Sequence, residues 1–155
     1  KSRGLGDVYK RQEKYLGREP SLNDLIDITL EKLKSFNKPF FLLVEGSQID
    51  WAEHDNDPKY LLSEMLEFDS AVKSSFDFAE KNKNTLVVVT ADHETGGSSI
   101  IDGNLNESIV KTEYSSEHHT AEMVPVYSFG YNSSKFTGVY DNTEIFDKLK
   151  LILEK

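Results

Sequence analysis

No cysteine occurs anywhere in the 155 residues, which excludes disulfides and thiolate metal sites and leaves the redox compartment unread. Positive charge is scarce as well: 18 Lys and Arg against 27 Asp and Glu leave a formal charge of -9. Without a basic face to neutralise phosphates, the chain is not expected to bind nucleic acid, and binding to anionic membranes is disfavoured. An acidic protein still accepts anionic substrates where bound metal ions reverse the local field. No apolar run approaches the roughly 20 residues needed to span a bilayer, and no signal-peptide pattern begins at Lys1. Internal repeats, linkers and low-complexity tracts are absent. The length suffices for one domain with a real core, and is short for a large α/β enzyme with its loops.

Residues 1–12 differ from the rest in being basic and aperiodic. The block Asp7-Val8-Tyr9-Lys10-Arg11-Gln12 resembles the translation of a transposon-end sequencing adapter. We expect 1–12 to be a non-native, adapter-derived tail, with an ordinary flexible basic tail as the alternative. The domain proper is expected over residues 13–155.

What is present is a set of apolar runs that lead into, or follow, acid and histidine residues. Phe40 to Val44 runs into Glu45-Gly46-Ser47-Gln48-Ile49-Asp50, with His54 four residues on. Leu86 to Val89 runs into Thr90-Ala91-Asp92-His93-Glu94-Thr95-Gly96-Gly97, and His118-His119-Thr120 precedes Val124-Pro125-Val126-Tyr127. Continuous aliphatic runs of this kind read as strands buried on both faces, as in parallel sheets, where ligands gather beyond the strands' carboxyl ends. Helices are expected from the capping Ser21 through Leu33 and from Asp57-Pro58 for about six turns. A final helix is expected after a capping Asn142. The segment from Glu45 to Asp57 reads as a loop, or a loop with one helical turn. Ser98 to Asn106 reads as a polar excursion, Ser108 to Tyr114 as a short strand, and Val124 to Phe129 as a better one. A strand, a crossover helix and a strand make the core unit, for which right-handed parallel pairing is the default.

Asp50 and His54 stand one helical turn apart, so both can face one ion if the segment coils. Asp92-His93 ends an apolar strand, an expensive place to leave a carboxylate without a cation or donor. Glu45 is a third carboxylate at a strand end and suits a hard ion such as magnesium. Of His118 and His119, sequence alone does not say which faces inward. Each feature has a plain structural alternative: solvated helix pairs, a carboxylate taking backbone N–H bonds, exposed loop residues. Together, Asp50, His54, Asp92, His93 and His119 suit two zinc-like ions, with Glu45 left for a third.

These segments resemble the alkaline phosphatase family. Val44 through His54 is similar to its V-E-G-x-x-I-D-x-x-x-H strand-loop, Thr90 through Gly97 to its T-A-D-H-E-T-G-G, and His119 through Val126 to its H-T-G-x-x-V-P-V. Gly138 through Glu144 resembles the tail of bacterial members, and the likeness runs in the family's order from about Glu19 onward. It implies the C-terminal part of a three-layer α/β/α sandwich with a mostly parallel sheet. It also implies a cofactor set of two Zn2+ and one Mg2+. Asp50, His54 and His119 would hold the first zinc, Asp92 and His93 would contribute to the second, and Glu45 to the magnesium site. The implied activity is hydrolysis of phosphate monoesters through a phosphoserine, in a homodimer located in the periplasm or outside the cell.

The departures are equally specific. Ala121 stands where the family has glycine after His-Thr. The family's serine nucleophile, the aspartate shared by the second zinc and magnesium, and the phosphate-binding arginine all lie upstream of anything in this chain. We therefore expect a truncated phosphatase, inactive alone. The alternatives are another member of the same metal-hydrolase superfamily, acting on phosphodiesters, sulfates or phosphosugars, or a non-catalytic metal-binding domain.

Overall fold

Ser21 opens the first helix, α1 (Leu22–Ser35), through a reciprocal capping box. Its hydroxyl accepts from the Asp24 amide at 3.1 Å while the Asp24 carboxylate accepts from the Ser21 amide at 2.9 Å. The Ser21 hydroxyl also donates to Asp24 Oδ2 at 2.6 Å, and that bond foremost, with the Ser21 amide, holds the Asp24 carboxyl below its ordinary range. The computed structural model describes residues 19–107 and 109–153. The expected adapter-derived tail at 1–12 lies outside the described residues.

Helix α2 (Gln48–His54) is longer than the single turn the sequence suggested, because Gln48 and Ala52 bury one face of it. Asn56, at φ 49°, then reverses the chain. Asp57 caps α3 (Pro58–Lys81), accepting from the amides of Lys59 and Tyr60 at 3.1 and 3.0 Å. Loss of that cap in Asp57→Ala is expected to destabilise the chain by about 1 kcal/mol, read as a lower urea midpoint with an unchanged slope. Helices α1 and α3 pack together around Ile26, Leu30 and Ala71. The Leu22 amide donates to Glu67 Oε1 of α3 at 2.7 Å.

Strand β1 (Leu86–Val89) pairs antiparallel with β6 (Tyr127–Gly130), and α3 covers both. Phe76 of α3 meets Phe129 at a centroid distance of 4.9 Å. Between these strands the chain makes two further antiparallel pairs. Strand β2 (Glu94–Thr95) pairs with β5 (His119–Thr120), and β3 (Ser99–Asn104) with β4 (Ile109–Glu113). A 3-10 turn (Ser133–Phe136) buries Phe136, and α4 (Glu144–Leu153) ends the described chain. At its start the side-chain acceptor is Asp141 rather than Asn142, taking the Thr143 amide at 3.0 Å and hydroxyl at 2.7 Å. No helix among the described residues is long and apolar enough to cross a membrane.

Two expectations about the sheet are corrected. The Phe40–Val44 run pairs with no strand among the described residues, and all three pairings present are antiparallel. The parallel pairing expected between 40–44 and 86–89 is therefore not formed within this chain. The physical reason is visible in alternate residues. Phe40, Leu42 and Val44 pack on the α1–α3 core, whereas Phe41 and Leu43 are 60% and 81% exposed. A run that is apolar on both faces needs cover on both, and the described residues supply one. The Ser98–Asn106 excursion is instead β3 and its turn, held by ladder bonds to β4 despite exposure along its whole length.

Candidate metal centre

The seven residues of α2 place Asp50 and His54 on one face, with His54 Nε2 3.4 Å from Asp50 Oδ1. His119 reaches the same point from β5: its Nε2 lies 3.1 Å from His54 Nε2 and 3.5 Å from Asp50 Oδ1. One ligand atom from each of the three falls within 4.8 Å of the other two. His54 Nδ1 is 2.6 Å from the carbonyl oxygen of Glu117. A carbonyl only accepts, so Nδ1 carries the proton and the Nε2 lone pair is left for the shared point. Two imidazole nitrogens and a carboxylate oxygen form a donor set that fits zinc.

A glycine pair brings β5 to α2. Gly96 and Gly97 adopt φ 87° and 56°, and the Gly96 amide donates to the His118 carbonyl at 3.0 Å. The amides of Ser115 and Ser116 return bonds to the Gly96 carbonyl at 3.0 and 3.1 Å. A Cβ on Gly97 would lie 2.0 Å from Ser115 Oγ, which would have to turn aside, and the left-handed backbone itself favours glycine here. With its amide nitrogen facing the carbonyls, Asn56 donates to Glu53 at 2.9 Å and to Ser116 at 3.0 Å, tying the end of α2 to the same turn.

Two carboxylates brace this arrangement. Glu94 accepts from the amides of Gly97 and Ser98, each at 3.2 Å, and from the Thr120 hydroxyl. Glu53 accepts from Ser98 Oγ at 3.0 Å. Burial pushes the Glu53 carboxyl above its ordinary range; the Ser98 bond opposes that shift, and the charges of Glu94 and Asp50 add to it. So many acids in one small volume create a negative field that a divalent cation would relieve.

Asp92 and His93 adjoin the group. The His93 ring stacks on His119 at a centroid distance of 3.5 Å, and its Nε2 lies 3.4 Å from Asp92 Oδ2. Asp92, whose side chain is 88% exposed, and His93 line a cleft of about 600 Å3 with Thr120, Val124, Tyr140 and others. Glu45 is not part of the three-residue group; it is exposed beside an apolar depression lined by Leu22, Leu25 and Ile26. Between the neighbouring histidines, His119 joins the group and His118 does not. Sequence reasoning passed over Thr95, which is 1% exposed and donates its hydroxyl to Asp50 Oδ1 at 2.6 Å. Its one signal in the sequence was a polar residue two positions after His93, where the chain is about to turn.

Helices covering a sheet face, with carboxylate and imidazole groups gathered at the loops, define an α/β protein with a candidate divalent-metal site. The alkaline phosphatase family model matches residues 5–108, and the chain belongs to that family. It is 35% identical to alkaline phosphatase 3 of Bacillus subtilis, covering 81% of this chain and 42% of that protein. Against the Escherichia coli alkaline phosphatase it is 30% identical over 86% of this chain and 32% of the other. The structure of the alkaline phosphatase from the Antarctic bacterium TAB5 superposes with a TM-score of 0.79 at 38% identity, covering 86% of this chain and 41% of that one. A variant of the same TAB5 enzyme, with Mg bound, superposes equally well. The chain thus spans less than half the length of these relatives.

Proposed function

We propose that the protein to which this chain contributes hydrolyses phosphate monoesters as an alkaline phosphatase. Asp50, His54 and His119 hold one zinc ion, Asp92 and His93 contribute to a second, and Glu45 contributes to a magnesium site. The observation that supports this most is the meeting of Asp50, His54 and His119, from two distant segments, around one point. Metal ions at such a pair of sites supply charge stabilisation for the attacking and departing oxygens of an in-line displacement.

The chain's own residues contribute orientation. The Glu117 carbonyl holds His54 in the tautomer that presents Nε2. The Glu94 carboxylate ties the turn after β2 to Thr120 of β5. Glu45 acquires its remaining partners from upstream residues, as do the second zinc and the reaction itself, whose serine nucleophile and phosphate-binding arginine the family places there. The exposed Phe41 and Leu43 are covered by the same upstream part. On the family resemblance, the whole protein is an exported homodimer of which 13–155 form the C-terminal portion of the domain.

The test compares the 155-residue chain with the same chain completed by its upstream coding sequence. The chain alone is expected to hydrolyse p-nitrophenyl phosphate no faster than buffer containing zinc. The completed protein is expected to exceed the uncatalysed rate by about 10^6-fold or more. Saturable turnover by the isolated chain would refute the missing nucleophile. A completed, metal-loaded protein without turnover would refute the phosphatase reading.

A further inference from the structure

Thr95 occupies a position that none of the metal-site assignments uses. Its hydroxyl is buried between two of the proposed ligands, 2.6 Å from Asp50 Oδ1 and 3.2 Å from His93 Nδ1. A hydroxyl owns one proton and a carboxylate only accepts, so the Thr95 proton points to Asp50. The second contact then requires a proton from the other side, and His93 Nδ1 donates it to a lone pair on Thr95 Oγ1. That leaves His93 Nε2 unprotonated 3.4 Å from Asp92 Oδ2, so two acceptors face each other there, a pair that a bound cation would satisfy.

We propose that Thr95 is a positioning residue that sets the His93 tautomer and couples the two metal half-sites through a single hydroxyl. The relay runs from His93 Nδ1–H to Thr95 Oγ1–H to Asp50, so one side chain orients a ligand of each ion at once. The β2–β5 pairing places Thr95 opposite His119 and fixes the hydroxyl between its two partners. Histidine ligands commonly depend on such outer partners for ring orientation and basicity.

The tautomer arm of the test needs no metal and is independent of the proposed enzyme activity; the affinity arm rests on the metal-site reading. In the metal-free 155-residue chain labelled with 15N-histidine, long-range proton–nitrogen spectra are expected to show His93 protonated at Nδ1. Thr95→Val, close in shape and lacking the hydroxyl, is expected to lose that preference, and Thr95→Ser to keep it. In the protein completed by its upstream sequence, the Zn2+ affinity of the site containing His93 is expected to fall by about 10- to 100-fold in Thr95→Val and to recover in Thr95→Ser. An Nε2-protonated His93 in the unsubstituted chain, or an unchanged tautomer in Thr95→Val, overturns the assignment. If Thr95→Val fails to fold, the tautomer of the unsubstituted chain and of Thr95→Ser still decides it. Absence of zinc binding by every form, with the tautomer dependence intact, would refute the metal-site reading and leave the Thr95 relay standing.

Discussion

Replacing His54 or His119 by alanine is expected to weaken binding of the first zinc ion by at least about 100-fold, beyond the range typical of changes in outer partners. Each substitution removes one of three converging ligand atoms and leaves Asp50 with a single imidazole. Asp50→Ala should act similarly, since its carboxylate supplies the only negative charge in that group. His118→Ala is the control, because His118 is adjacent in sequence and outside the group, and it should leave affinity within about 3-fold, roughly 0.6 kcal/mol. Competition against a chromophoric chelator gives the four affinities directly. Equal affinities across Asp50→Ala, His54→Ala and His119→Ala would remove the first-site assignment.

The largest effect on stability is expected at Tyr60, which is fully buried at the start of α3 and donates its hydroxyl to Gln48 Oε1 of α2. Truncation to alanine should destabilise the chain by about 3–5 kcal/mol, the range for emptying a buried aromatic site. Tyr60→Phe keeps the ring and removes the hydroxyl. It leaves Gln48 Oε1 without its donor, and Gln48 Nε2 already lacks a hydrogen-bond partner among the described residues. An unsatisfied buried acceptor costs about 1–3 kcal/mol. The sole tryptophan, Trp51, lies on α2, so its fluorescence during urea unfolding reports on the helix that carries Asp50 and His54. Loss of under about 1 kcal/mol in Tyr60→Ala would mean that α2 does not depend on this packing.

Legibility in the sequence followed the range of the interactions involved. Ser21 and Asp57 act within three residues of themselves, so the starts of α1 and α3 could be read directly. The apolar character of 86–89 likewise marked a strand. The run at 40–44 was equally apolar and forms no strand, because pairing depends on a neighbour that sequence inspection does not supply. Segment 98–106 erred in the other direction: Asp102-Gly103 suggested a polar excursion, while the ladder with β4 makes a strand of it.

The same division runs through the candidate metal centre. Residue type and one-turn spacing marked Asp50 and His54, and the end of an apolar run marked Asp92 and His93. Residue type alone did not separate His119 from His118; the His119-Thr120 resemblance chose His119, and in the fold that choice is made by β5 pairing with β2. Thr95 escaped notice for a related reason: a hydroxyl acquires its role from the two atoms on either side of it, and both come from elsewhere in the fold. Ligand chemistry and helix boundaries were written into short stretches of chain. Convergence, tautomer and strand pairing arose from contacts between stretches up to 69 residues apart in sequence, as Asp50 and His119 are. Local rules describe what a segment can offer; only folding brings an acceptor within about 3 Å of a particular donor.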